Sequence, residues 1–126
     1  MDWQEQYERA AETERNEYKL MPLEQVLLHI KEGRYGIYPS IWRDVETRAT
    51  LEQAGWLLYE VLHRNIEYLI RCNAAEALLT LMGYTDVIEN LDRAVSLTAH
   101  SIEERTPHLT DLYHELIERL GNRPDE

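Results

Sequence analysis

Two pairs of a carboxylate and a histidine are spaced so that they could do chemistry on a helix: Glu60 with His63, and Asp111 with His114. At a separation of three residues both side chains of a pair lie on one helix face. Carboxylate-bridged metal sites in helix bundles use such pairs, together with two further inward-facing carboxylates from other helices. Glu60, however, falls on the polar stripe of its predicted helix beside Arg64, so a ligand there would face water. We therefore expect no metal at these pairs.

A second group of possible zinc ligands is concentrated in the last third of the chain. Pro107 separates two predicted helices in this region, so their side chains could converge on a zinc ion. A solvated helix–turn–helix with the same residues is the commoner structure, and we expect no metal here either. The residues are His100, Glu103, Glu104, His108, Asp111 and His114.

Arg93 and His100 lie two helical turns apart, and the six residues between them place both on one helix face. This spacing resembles the Arg-x(4–6)-His motif of HEPN-type ribonucleases, which are also small helical bundles. The resemblance implies that Arg93 would clamp a phosphate and that His100 would be the acid–base residue. RNA-binding grooves carry positive charge, whereas this chain is acidic, so a HEPN-like ribonuclease is kept as an alternative function.

Other patterns of a catalytic site are absent from the sequence. It contains no Gly-rich phosphate loop, no CxxC pair and no nucleophile elbow. The serines Ser40, Ser96 and Ser101 have no evident catalytic partners. We therefore predict a protein that is not an enzyme and that binds no cofactor.

The net charge of −11 comes from 24 acidic and 13 basic residues, and the acidic residues are spread evenly along the chain. A field of this sign opposes binding to nucleic-acid phosphates or to anionic lipid. We therefore predict a protein partner, no nucleic-acid partner and no membrane partner. The charge itself favours either plain solubility or a basic partner. An acidic inhibitor or immunity-type protein, which would block a basic nucleic-acid-binding site, is an alternative function.

The N-terminus and the single cysteine bear on localisation. The first 14 residues are acidic and polar, unlike a signal peptide. No apolar run approaches the roughly 20 residues that span a bilayer. Cys72 lies on an apolar stripe, as expected for a buried thiol in a reducing compartment. These features predict a soluble, cytoplasmic protein whose oligomeric state stays open.

Helical periodicity without any strand pattern predicts an all-α fold, an irregular bundle or helical-hairpin array of five to six helices. The length predicts one domain, 1–126, with a peripheral N-terminal helix over 1–19 and a frayed tail at 122–126. Residues 51–82 contain no proline and predict a long central helix, either unbroken or kinked at Cys72–Asn73. Its buried residues are expected to include Leu58, Val61, Leu62, Leu69 and Leu79. The opposite, polar face is expected to carry Gln53, Glu60, Arg64, Glu67 and Arg71.

Local signals also predict where the helices begin and end. Thr50 with Gln53, and Asp86 with Glu89, match the pattern of a capping box. Ser40 is a predicted N-cap, and Thr106 followed by Pro107 predicts the start of the last helix. Glycines at the ends of the apolar stripes predict the stops: Gly33, Gly83 and Gly121.

Residues 70–95, IRCNAAEALLTLMG followed by a turn and DVIENLDRAV, resemble one unit of a HEAT-type helical repeat. The likeness rests on a basic residue, on paired alanines and on Ala-Leu before a glycine turn. No second copy at a period of roughly 40 residues is visible, and stacked repeats need about three units. The resemblance therefore implies a helical hairpin. The matching residues are Arg71, Ala74, Ala75, Ala77, Leu78 and Gly83.

An aromatic turn over residues 33–42, GRYGIYPSIW, is the predicted interaction surface, with Tyr35, Tyr38 and Trp42 as anchors. Aromatic side chains on irregular loops suit binding because little side-chain entropy is lost when they are fixed. The competing interpretation is that they plug a gap between helices. Trp3 and Tyr7 on the N-terminal helix are the second candidates. These features predict a non-enzymatic protein-interaction or adaptor module.

Overall fold

The computed structural model describes residues 2–64, 66–99 and 101–124. Within these ranges the chain forms seven helices and no strand, which confirms the all-α prediction and exceeds the expected five to six helices. None of these helices is long and apolar enough to cross a bilayer. The helices are α1 (Trp3–Leu20), α2 (Leu23–Lys31), α3 (Ser40–Arg48), α4 (Leu51–Val61), α5 (Tyr68–Leu81), α6 (Val87–Leu97) and α7 (Ile102–Leu120).

The chain divides into two compact units, Met1–Ala49 and Thr50–Glu126. We call them unit 1, which contains α1–α3, and unit 2, which contains α4–α7. The organisation of residues 1–126 as one domain stays a prediction.

Unit 1 is assembled on α3, against which both α1 and α2 pack. The apolar stripe of α2 supplies Val26 and Ile30 to the core, and α3 supplies Ile41 and Val45, all fully buried. Apolar residues at this helical spacing must be covered by neighbouring helices. The short helices of unit 1 therefore owe their stability mainly to packing.

Unit 2 is a four-helix arrangement in which α4 packs on α5, α5 on α6, α6 on α7 and α7 again on α4. The stripes of the helices meet in one aliphatic core. Its fully buried leucines are Leu58, Leu62, Leu78, Leu79, Leu112 and Leu116.

The prediction of one long central helix over 51–82 is wrong. α4 ends at Val61 and α5 begins at Tyr68, whereas Cys72 and Asn73 lie inside α5 without a break. No side chain caps the start of α5 at Glu67, so the break has no strong local signal. Its physical reason is tertiary packing, because two separate helices can bury their apolar stripes against each other.

The prediction that Leu69 is buried is also wrong, because its exposed fraction is 69%. Arg71, expected on the polar face, is only 8% exposed. The restart of the helix at Tyr68 changes the phase of the stripe, so that the buried face of α5 contains Ala74, Ala75 and Leu78 together with Arg71 one turn earlier. The burial predictions for the other four residues, Leu58, Val61, Leu62 and Leu79, are confirmed.

The capping signals succeed where a side chain bonds the backbone. The full capping box of Thr50 and Gln53 opens α4, and the Asp86 side chain accepts the Glu89 N–H at the start of α6. Glycines with positive φ follow α2, α5 and α7, as predicted. Two predicted starts are wrong, at Ser40 and at Thr106–Pro107.

Both wrong starts have a local reason. Ser40 is the first residue of α3, because Pro39 with its fixed φ takes the cap position. α7 begins five residues before Pro107, because the Ser101 side chain accepts the Glu103 N–H and two glutamates fill the first turn. Pro107 therefore lies inside the helix rather than at its start.

Candidate interaction surfaces

The apolar stripe of α1 is covered over only part of its length. Toward the C-terminal end, Tyr18 is buried and α1 packs on α3. Toward the N-terminal end the same stripe continues through Tyr7, 51% exposed, to Trp3, 78% exposed. Two large aromatic side chains on one helix face therefore lie open for a partner.

A carboxylate of α1 fixes the aromatic turn beside this stripe. Glu14 accepts the backbone N–H of Ile37 through Oε1 at 3.1 Å and the N–H of Tyr38 through Oε2 at 2.9 Å. The Tyr38 ring then lies edge-on to the Tyr7 ring, with centroids 5.0 Å apart, a favourable aromatic geometry. The structure thus brings two of the predicted anchors, Tyr7 and Tyr38, together.

A groove of about 370 Å3 lies between α1 and the turn, lined by Ala10, Thr13, Glu14, Glu17, Ile37 and Tyr38. The Ile37 side chain at its edge is exposed. An aliphatic side chain, a tyrosine ring and two carboxylates therefore lie side by side. Such a groove suits a partner segment that is apolar and basic.

Tyr35 and Trp42 form a second aromatic pair, stacked with ring centroids 5.4 Å apart. Trp42 is only 2% exposed and belongs to the core of unit 1. In this structure it supports Tyr35 from beneath and offers no surface of its own. Of the five predicted anchors, Trp3 and Tyr7 are exposed, Tyr35 and Tyr38 are half-buried, and Trp42 is buried.

Unit 2 carries an apolar surface that the sequence reasoning missed. Val87, Ile88, Leu91 and Val95 of α6 are each more than half exposed. We call these four residues the α6 stripe.

The sequence does contain a signal for this surface, because the apolar positions of α6 cover an unusually wide part of the helix circumference. At 100° per residue, the apolar positions of α6 cover roughly 180° of the helix circumference, wider than one packed face requires. Ala94 and Leu97 occupy the buried half of this arc, and the α6 stripe occupies the other half. A contiguous exposed apolar patch of this kind marks interaction sites in soluble proteins.

Arg93, the predicted phosphate clamp of the ribonuclease alternative, is engaged by other residues of unit 2. Its guanidinium lies 4.3 Å from the centre of the Tyr84 ring and 3.4 Å from Glu115 Oε2. The Tyr84 hydroxyl donates to Glu115 Oε1 at 2.5 Å, and Arg119 Nη2 donates to the same oxygen at 3.1 Å. His100, the predicted acid–base residue, lies outside the described residues.

The pKa values in this cluster are shifted by its charges. Burial alone would raise the pKa of Glu115, but the Tyr84 hydrogen bond and the two arginines outweigh it and lower the pKa. Burial alone would lower the pKa of Arg93, but Tyr84 and Glu115 raise it. The cluster therefore holds Arg93 and Glu115 in their charged forms.

A cavity of about 210 Å3 opens beside Arg93, and its lining includes His108 and Asp111. Within residues 2–64, 66–99 and 101–124, no three His, Cys, Asp or Glu side chains converge as metal ligands would. The metal-binding alternative that includes His100 falls partly outside these ranges.

The chain matches no protein-family model and shows no significant similarity to curated proteins or to solved structures. A candidate function must therefore be argued from the surfaces of this chain.

Proposed function

We propose that this protein is a non-enzymatic adaptor, a protein-interaction module with one binding surface on each compact unit. The observation that carries the proposal is the α6 stripe. Four large aliphatic side chains on one helix face are exposed, and leaving them in water forfeits the free energy that their burial would supply. A partner that covers them recovers that free energy.

The charges around the α6 stripe specify the partner's chemistry. Glu89 and Asp92 lie exposed on the same helix, and unit 2 has 14 acidic and 6 basic residues, a net charge of −8. A long aliphatic strip flanked by carboxylates fits an amphipathic helix with an apolar face and basic flanks. The acidic residues raise the association rate of such a partner and discriminate against acidic ones.

The surface of unit 1 supports a second contact of different character. Trp3, Tyr7, Ile37 and Tyr38 present aromatic and aliphatic groups in place of the purely aliphatic α6 stripe. Tyrosine and tryptophan are the side chains most enriched among residues that dominate binding energy. Two surfaces of unlike shape favour two different partners, which is what an adaptor requires.

Affinity purification with chemical cross-linking tests the proposal on three variants. Leu91→Ser with Val95→Ser disrupts the α6 stripe, and Trp3→Ser with Tyr7→Ser disrupts the surface of unit 1. The matched control replaces Leu20 and Leu28, which are exposed apolar residues outside both surfaces, with serine. We expect each surface variant to lose a different cross-linked partner and the control to keep both.

Retention of every partner by both surface variants would overturn the proposal. Circular dichroism should show that all three variants keep the helix content of the wild type, because the replaced side chains are exposed.

The net charge of unit 2 also favours the inhibitor alternative, in which the basic partner is a nucleic-acid-binding protein. If the protein is such an inhibitor, its complex should dissociate as the salt concentration rises, because screening weakens contacts between exposed charges. Competition between this protein and nucleic acid for the isolated partner distinguishes an inhibitor from an adaptor. The ribonuclease alternative stays a prediction, and RNA cleavage that disappears in His100→Ala would support it.

A further inference from the structure

A groove with a cationic lining runs between α1 and α3 in unit 1. It has a volume of about 260 Å3. Arg15 and Lys19 line it from α1, and Arg43, Thr47 and Arg48 line it from α3. Its exposed surface is mostly carbon, as expected when the aliphatic stems of arginine and lysine form the walls and the charged heads reach toward solvent.

This groove is rich in positive charge, although unit 1 as a whole is acidic. Unit 1 contains ten acidic and seven basic residues, yet four of the seven basic side chains line this one groove. Asp44 is the one acidic residue in the lining. The lining therefore carries three positive charges in excess, in a chain whose net charge is −11.

The charge of Asp44 is already neutralised within the wall. The Arg48 guanidinium donates to it from Nε at 3.1 Å and from Nη2 at 2.7 Å, and also bonds the Tyr18 carbonyl. Arg48 and Asp44 thus form a fixed bidentate pair. They make a rigid wall and leave the other cations of the groove to act on a ligand.

The other three cations have weak partners or none of opposite charge. Arg43 lies 3.5 Å from Glu46 in a pair whose arginine is well exposed, a geometry that contributes little. In the part of the chain that the structure describes, Arg15 and Lys19 form no ion pair. Ser40, buried at the start of α3, also lines the groove, and no side chain caps this helix start, which carries partial positive charge.

We infer that this groove binds a small organic phosphate monoester. Three excess positive charges match a phosphate dianion better than a single carboxylate, and arginine and lysine are the usual phosphate ligands in proteins. The mostly aliphatic walls accommodate an apolar body attached to the phosphate. A groove of this volume lies near the lower end of small-molecule sites, so the ligand is compact.

The site is tested by titrating probe molecules into the protein at fixed ionic strength. Binding is measured by 1H–15N NMR and by calorimetry. The probes are phenyl phosphate, inorganic phosphate and benzoate. We expect phenyl phosphate to bind most tightly, inorganic phosphate more weakly and benzoate weakest. The amide signals that shift should be those of residues 15–19 and 40–48.

A pair of charge-matched variants separates a specific site from a general field. Arg15→Gln with Lys19→Gln removes two groove cations and should weaken phenyl phosphate binding about tenfold or more, because each charge-assisted contact is strong. Arg9→Gln with Arg34→Gln removes the same charge from unit 1 outside the groove and should change the affinity less than about twofold.

Equal weakening by the two variants would overturn the inference, because it would show attraction by net charge alone. Benzoate binding as tightly as phenyl phosphate would overturn the phosphate assignment. No shift with any probe at millimolar concentration would also overturn it. Both variants replace solvent-exposed α1 side chains or an exposed ion-pair residue, so loss of folding is not expected to confuse the result.

Discussion

Glu14 and Tyr38 form the contact that joins α1 to the aromatic turn, with the carboxylate Oε2 2.9 Å from the Tyr38 backbone nitrogen. The second carboxylate oxygen accepts the neighbouring N–H of Ile37. Both hydrogen bonds are charge-assisted, and such bonds are about twice as strong as neutral ones. One side chain therefore positions the turn that presents Tyr38 to Tyr7.

Glu14→Gln should destabilise this turn. An amide keeps one acceptor oxygen but places an NH2 donor opposite the other backbone N–H, so one hydrogen bond is lost and the charge is removed. We expect the free energy of unfolding to fall by about 1–2 kcal/mol, measured by urea denaturation. The control is Glu17→Gln, which removes a charge from the same groove. It should lower the free energy of unfolding by less than about 0.5 kcal/mol. Equal losses would mean that the Glu14 contact is not specific.

Gly36 should tolerate alanine less well than Gly33 does. Both glycines have positive φ, which costs a residue with a Cβ about 1–2 kcal/mol. A Cβ at Gly33 meets nothing within 4 Å, whereas at Gly36 it meets Glu14 Oε1 and the Tyr18 hydroxyl. Gly36→Ala should therefore lower the melting temperature more than Gly33→Ala, because it also displaces the Glu14 carboxylate. A similar shift for both would show that only the backbone conformation matters.

Leu79→Ala should lower the free energy of unfolding much more than Leu69→Ala, although both residues lie on α5. Leu79 is fully buried and Leu69 is largely exposed, so the first change leaves a cavity and the second does not. We expect a loss of about 2–5 kcal/mol for Leu79→Ala and under about 0.5 kcal/mol for Leu69→Ala. Chemical denaturation of both variants measures the difference. A large loss at Leu69 would indicate that a surface covers it in solution.

Glu115 should make the stability of unit 2 depend on pH in the acid range. Its pKa is lowered from the ordinary value of 4.5 by Tyr84, Arg93 and Arg119, which outweigh the effect of burial. A lowered folded-state pKa means that the carboxylate stabilises the fold above the unfolded pKa, and this stabilisation is lost as pH falls through the folded value.

Glu115→Gln should therefore cost about 1–3 kcal/mol at neutral pH, and the difference from the wild type should shrink below the ordinary glutamate pKa. Urea denaturation at a series of pH values measures the effect, with Glu118→Gln on the exposed side of α7 as the control. A difference that stays constant down to strongly acid pH would contradict the assigned shift.

The sequence predicted the helices that carry their own signals. Thr50 and Asp86 bond backbone N–H groups three residues ahead, and Gly83 and Gly121 follow helices with positive φ. Each of these is a local interaction that a residue and its near neighbours determine. The all-α class followed from the helical periodicity of the apolar residues.

The break between α4 and α5 could not be predicted in this way. Glu67 occupies the N-cap position of α5, but its side chain makes no capping hydrogen bond. The interruption therefore depends on how α4 and α5 pack. The phase of the new helix then decided which side chains were buried, and Leu69 and Arg71 exchanged the faces expected for them. Long-range packing overrides local propensity at such points.

The candidate surfaces were predictable only in part. Composition pointed to aromatic anchors, but only the fold shows that Trp42 is buried while Trp3 and Tyr7 are open. Nor did the sequence reasoning find the groove between α1 and α3, because Arg15, Lys19 and Arg43 meet through tertiary structure.

The uncovered α6 stripe also has a consequence for how copies of this protein behave toward one another. Exposed aliphatic side chains favour clustering of like molecules, and concentrated solutions increase that tendency. Every copy carries the same net charge of −11, so two copies repel each other over a range set by the ionic strength, about 10 Å at 0.1 M salt. The carboxylates that would attract a basic partner thus act as a colloidal barrier between identical stripes, and that barrier weakens in concentrated salt or acid.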